Sequence, residues 1–195
     1  MARTQITAAD LMPMVEYGKI RREYRRKLVD VKRKRRAHIG PHVTLYFENY
    51  DTMWAQVHEM LFIERGGDEQ VEGELSAYNP LIPQGAELVA TMMIEIEDEG
   101  LRRRTLATLG HVENMVQLSF EGHTIKGVPE ADLDRTTEDG KTSSVHFLHF
   151  SFTPEQVAAF RAPGAQITAG IMHPQYGHLA MLPEESRAAL SEDFA

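Results

Sequence analysis

Residues 145–152 read Val-His-Phe-Leu-His-Phe-Ser-Phe. Leu148, Phe150 and Phe152 fall on one face, with His149 and Ser151 on the other, which is the period of two of a half-buried β-strand. The same alternation recurs outward along the chain. At 42–48, Val43, Leu45 and Phe47 oppose His42, Thr44, Tyr46 and Glu48. Met92, Ile94 and Ile96 alternate with Met93, Glu95 and Glu97, and Val116, Leu118 and Phe120 share a face. Residues 123–128 can close a hairpin across Gly122, and 166–172 can pair with 178–182 around a Pro-Gln-Tyr-Gly turn. Short links between strands favour an α+β fold with an antiparallel or mixed β-sheet and helices mainly on one face.

Helical periods supply the rest. Thr7 and Asp10 form a capping pair for a first helix. Tyr17, Ile20, Tyr24, Leu28 and Val31 then make a narrow apolar stripe at helical spacing, with Gly18 as the expected break between two N-terminal helices. Gly40-Pro41 stops the second, so residues 1–39 read as a basic N-terminal helical segment of a single domain, 1–195. Further helices are expected over 51–65, ended by Gly66-Gly67, over 68–78, and over 98–109. A polar loop over 132–142 follows, then a capping box at Thr153-Pro154-Glu155-Gln156, and a last helix opened by Pro183.

Composition narrows the chemistry. The chain has 195 residues, 42% hydrophobic and 26% charged, as an ordinary globular protein does. It has no cysteine, which excludes disulfides, thiol nucleophiles and a Cys-ligated iron–sulfur cluster. The first twelve residues lack the apolar core of a secretory signal, and the most apolar stretch, 88–96, is too short to span a bilayer. A cytoplasmic protein without membrane contact is expected.

Charge is unevenly placed. Residues 19–36 hold eleven of the 21 Lys and Arg against Glu23 and Asp30, a window of +9. The total is −8, which leaves −17 to the rest of the chain. Arg21, Arg22, Arg25, Arg26, Arg33, Arg35 and Arg36 are the candidate partner-binding residues. They can brace the acidic body, steer an acidic protein partner, or contact nucleic acid. The pI of about 5.6 places nucleic acid third.

Near-motifs fail on inspection. Gly140-Lys141-Thr142 lacks the first glycine of a phosphate loop, where Arg135 stands, and His58-Glu59 lacks the second histidine of a zinc-protease helix, where Phe62 stands. Nine histidines remain. A cysteine-free metal site needs histidines with carboxylates, and His38, His42, Glu48, His149 and His173 are the candidates if the fold gathers them. Positions 146 and 149 of one strand point to opposite faces and cannot chelate one ion together. The plainer reading is separate hydrogen-bonded histidines, and His58, one turn after Trp54, reads as packing. The second strand face, with His42, Thr44, Tyr46, Glu48, Met93, Glu95, Gln117, Ser119, His149 and Ser151, is a solvent-facing surface or else a ligand cleft. Ten methionines fit gap-filling in the core, with a Met–His haem pair as the alternative.

The run Arg35-Arg36-Ala37-His38-Ile39-Gly40-Pro41-His42-Val43-Thr44-Leu45-Tyr46-Phe47-Glu48-Asn49 resembles an uncharacterised bacterial family, catalogued as domain of unknown function thirty-five-oh-one. The resemblance continues through Glu59-Met60-Leu61, Tyr78-Asn79-Pro80-Leu81-Ile82-Pro83 and Lys141-Thr142-Ser143-Ser144-Val145-His146-Phe147-Leu148, and so covers almost the whole chain. Genes of that family tend to lie beside those of rubrerythrin-like and iron–sulfur oxidoreductase proteins, which implies a redox or oxidative-stress setting. The resemblance carries over no catalytic residues. The expectation is a non-catalytic accessory protein that docks an acidic redox protein, with self-association open. The alternatives are a His/carboxylate metal-binding protein or metalloenzyme and a nucleic-acid-binding regulator.

Overall fold

The computed structural model describes residues 3–130 and 140–195. The alternating segments form two antiparallel sheets. Strands β1 (Arg36–Ile39), β2 (Val43–Glu48), β3 (Glu87–Ile94), β6 (Val128–Pro129) and β7 (Val145–Ser151) make the first, in the order β1-β2-β3-β7-β6. Strands β4 (Val116–Phe120), β5 (His123–Lys126), β8 (Thr168–His173) and β9 (Tyr176–Met181) make the second, in the order β5-β4-β8-β9.

The two sheets bury their apolar faces in one cluster. Leu45, Phe47, Leu88, Met92 and Phe150 of the first share it with Leu118, Phe120 and Ile171 of the second. Each such side chain, fully buried, stabilises the fold by about 1.5–3 kcal/mol. Phe152, Phe160 and Phe194 extend the cluster with edge-on ring contacts, Phe160 coming from α5 (Pro154–Arg161), whose capping box forms as the sequence specifies. Leu106 of α4 (Glu99–Thr108) and Leu190 of α6 (Glu184–Ser191) join it.

A second, smaller cluster lies on the outer face of the first sheet. There α2 (Tyr50–Glu64) and α3 (Asp68–Tyr78) bring Met53, Val57, Leu61 and Leu75 against Val89 and Phe147. Helix α1 (Met14–Lys34) packs on α2.

Three expectations are corrected. The first N-terminal helix is a single 3-10 turn, Ala8–Asp10. Gly18 does not break α1: a Cβ there would lie 3.1 Å from the Phe62 ring, so its bareness admits α2 instead. Residues 36–39 are strand, because the Arg35 guanidinium binds the Phe47 and Glu48 carbonyls and lays the chain along β2, with Ala37 and Ile39 turned inward. The loop expected over 132–142 falls largely outside the described residues.

Candidate functional site

Helix α1 divides its arginines between two jobs. Arg21 reaches across to α2 and grips Glu59 with two bonds, Nε at 2.8 Å and Nη2 at 2.7 Å, while the Tyr17 hydroxyl donates to the same carboxylate at 2.7 Å. These partners, Arg21 first, hold the Glu59 carboxyl down at about 2. Arg35 is buried and donates to the Phe47, Glu48 and Ala189 carbonyls and to Asp193. Burial outweighs the pull of Arg35 and pushes the Asp193 carboxyl up to about 6. Arg33 pairs with Glu185 on α6 at 2.8 Å.

Arg22, Arg25, Arg26 and Arg36 are exposed. Arg22 and Arg25 line a groove of about 370 Å³ with Gly18 and the Phe62 ring, over which Arg21 also lies at 4.9 Å. Val15 and Val29 stand exposed on the same helix, so the outer stripe of α1 mixes cations with apolar side chains.

The polar face of the first sheet is not simply wet. Its register sets Tyr46 opposite Thr91 and Thr91 opposite Phe147, with Glu48, Val89 and His149 one step along. Helices α2 and α3 roof part of this face and leave a cavity of about 270 Å³. Glu48 is buried at one end, where the Thr52 hydroxyl donates to one carboxylate oxygen at 2.6 Å and the Thr91 hydroxyl to the other at 2.8 Å. Tyr78 and Gln56 come from the roof, and Lys32 of α1 and Arg35 just beyond it also line the space. Gln117 and Ser119, read from the sequence as part of one polar face, belong to the other sheet.

The candidate metal ligands are dispersed. His38 meets the Thr44 hydroxyl across the β1–β2 pair at 2.9 Å. His42 sits in the β1–β2 turn, where Tyr176 clamps the chain. The Tyr176 hydroxyl accepts from the His42 and Val43 amides and donates to the Ile39 carbonyl at 2.7 Å. Gly40 has a positive φ there, and a Cβ would strike His178 at 2.4 Å. His173 pairs across β8–β9 with the same Tyr176, and its Nδ1 accepts from the Gln175 amide. His149 lies beside Glu48's row, six residues along β2 from His42, or about 20 Å at the rise of a strand. It holds Glu87 at 3.0 Å and approaches Glu130 at 4.0 Å, and the Glu87 bond raises its pKa. Among the described residues no group of three or more His, Asp or Glu is placed to hold a metal ion.

Two other histidines are interior. His58 donates from Nδ1 to the Trp54 carbonyl at 2.8 Å and accepts the Met12 amide at Nε2, with the Trp54 ring tilted by 34° and its centroid 3.7 Å away; burial lowers its pKa. His146 is buried on the opposite side of β7 from His149, near Glu113. The sequence reading missed Thr52, Gln56, Thr91 and Tyr78 around Glu48. A signal existed: Thr52 stands four residues after Glu48, and Thr91 is a hydroxyl inside the apolar run 88–94.

These features define an α+β protein of two packed antiparallel sheets, with a helix-roofed cavity and a basic outer helix. The chain belongs to the family described as Protein of unknown function (DUF3501), whose model matches residues 5–194. It is similar to a solved structure titled a novel protein of unknown function from Burkholderia pseudomallei K96243. That chain is 36% identical with a TM-score of 0.91, over 98% of this chain and 100% of that one. No curated protein matches. Among the described residues no helix is long and apolar enough to cross a membrane.

Proposed function

We propose that this protein is a cytoplasmic, non-catalytic accessory protein of a bacterial redox system, and that α1 docks an acidic protein partner. The observation that supports the reading is the division of labour along α1. Arg21, Arg33 and, just past the helix end, Arg35 brace the fold, whereas Arg22, Arg25 and Arg26 are exposed, the first two lining the Phe62 groove. An arginine stripe that includes Val15 and Val29 suits a protein surface better than a phosphate backbone, because apolar side chains gain nothing from phosphates. The redox setting rests on the family resemblance alone.

The test is binding of the purified partner as salt is raised. Exposed charge pairs are screened beyond about 8–10 Å at physiological ionic strength, so affinity should fall with salt and fall again on reversing Arg22, Arg25 and Arg26 together. Equal affinity for the triple reversal would sink the reading. Tighter binding to duplex DNA than to any acidic protein would transfer the same helix to nucleic acid.

A further inference from the structure

The edge of the second sheet has a feature that packing the two sheets together does not require. Among the described residues β9 has β8 as its one strand neighbour, so its far side is open. The Leu182 amide bonds to the Ile167 carbonyl at 2.8 Å, which fixes the phase of the pair. Residues 176, 178 and 180 therefore turn their backbone groups to β8, and Gly177, Leu179 and Met181 turn theirs to the open side. All three are exposed, Leu179 and Met181 at 65%. Strand β1 of the other sheet meets β9 through inward side chains, chiefly Tyr176, and leaves these three outside.

An open edge invites another strand, and proteins block it with charge, proline or brevity. The other three edges are blocked in this way. β1 has four residues and the exposed Arg36, β5 has four residues and Lys126, and β6 has two residues and Pro129. β9 has six residues, Tyr-Gly-His-Leu-Ala-Met, with no Pro, Lys, Arg, Asp or Glu and an unbroken register.

The outer face beside this edge is apolar and free of opposed charge. Met172 of β8, 56% exposed, shares it with Leu179 and Met181. Leu179 lies over bare Gly170, where a Cβ would come within 2.5 Å of it. The inner strands add Gln117, Ser119 and Thr168, and the one cation of this face, Lys126, stands on β5 at the opposite edge. Copies of a chain with a net charge of −8 repel one another, and here they can meet on neutral surface. Helix α1 offers no such surface, because its exposed arginines would face each other.

We infer that β9 pairs antiparallel with β9 of a second copy of this chain, about a twofold axis at Leu179. A twofold contact uses the same patch on both subunits, and antiparallel pairing of one strand with itself satisfies that condition. With the open-side residues as the hydrogen-bonded pairs, Leu179 faces Leu179 of the second copy. Met181 then faces Gly177 of the second copy, so a long side chain meets a bare backbone. Glu184, beyond the strand end, comes beside Pro174 of the second copy and not beside another carboxylate. The pairing goes beyond partner docking by α1 and does not depend on it.

The experiment is sedimentation equilibrium of the full chain from micromolar to submillimolar concentration, with cross-linking as the test of register. The chain has no cysteine, so an introduced one reports alone. The expected result is a monomer–dimer equilibrium whose dissociation constant rises at least tenfold in Leu179→Lys, which sets two cations face to face. Oxidised Leu179→Cys should form a covalent dimer, because opposed residues lie about 5.5 Å apart, within disulfide reach. Oxidised Met181→Cys should not, since its counterpart lies four residues, about 13 Å, along the strand. Circular dichroism and thermal unfolding confirm that the variants fold. A wild-type chain that stays monomeric throughout overturns the inference. So does a dimer that Leu179→Lys leaves unchanged, or equal cross-linking of the two cysteine variants.

Discussion

The Arg21 guanidinium forks onto the Glu59 carboxylate, so α1 is fastened to α2 by one of the cations that sequence alone would assign to a partner. The fork sets which arginines remain outward. With Arg21 turned in, Arg22 and Arg25 flank it around the Phe62 ring. Docking and folding thus use neighbouring residues of the same helix.

The Glu59 pair should show in the pH dependence of stability. Its folded pKa, about 2, lies below the ordinary 4.5. Its contribution is therefore complete above pH 4.5 and is lost as pH falls toward 2. Glu59→Gln should cost about 1–2 kcal/mol at pH 7, a figure discounted for the pair's partial exposure. Denaturant unfolding at pH 7 and pH 3 checks it, and the gap between wild type and variant should narrow at the lower pH.

Removing Arg35 should be far more damaging than removing Arg22. Arg35→Met leaves the buried Asp193 without its cation and strips three carbonyls of a donor, a loss of about 3–5 kcal/mol. Arg22→Ala touches an exposed side chain and should stay within about 0.5 kcal/mol. Urea midpoints of the two variants decide the matter; similar losses would mean that the arginines are not divided as described.

His149 titrates in the opposite sense from the carboxylate of Glu59. Glu87 raises its folded pKa above 6.5, so the pair stabilises fully below pH 6.5 and the benefit fades as pH rises through the raised value. Histidine signals followed by NMR should give His149 a midpoint above 6.5, and Glu87→Gln should bring it down.

His58 supplies the contrasting case. Burial lowers its pKa, and its Nδ1 and Nε2 are both committed in the neutral form. The unfolded chain takes up a proton below pH 6.5 that the folded site resists, so stability contributed there declines as pH falls below 6.5. His58→Gln should flatten that limb of the pH–stability curve, although losing the ring contact with Trp54 lowers stability at every pH.

Much of this architecture is legible in the residues. The alternation at 145–152 and 116–120, the capping box at Thr153 and the helix over 68–78 each form where local pattern places them, because each pattern is satisfied within a few residues. What escaped was decided at long range. The strand at 36–39 continues a helical run of basic residues, and only the grip of Arg35 on β2 turns it into an edge strand. The division into two sheets depends on which strands pair, and alternation has no information on that point. The candidate site shares this limit. Glu48 stood out as a polar residue on a strand, but its cavity exists because α2 and α3 fold back over Thr91 and Phe147. The histidines show the converse: residue type suggested a metal centre, and the register sets His42 and His149 at opposite ends of the sheet.

The most direct test of the account is quantitative co-purification from cells that encode this chain, with wild type and the Arg22→Glu, Arg25→Glu, Arg26→Glu triple variant at native level. Binding of the recovered partner is then remeasured with both proteins pure. The account predicts an acidic protein retained by wild type, weakened by salt, and bound at least tenfold less tightly by the folded triple variant. A partner bound equally well by both forms, at low and at high salt, would contradict it.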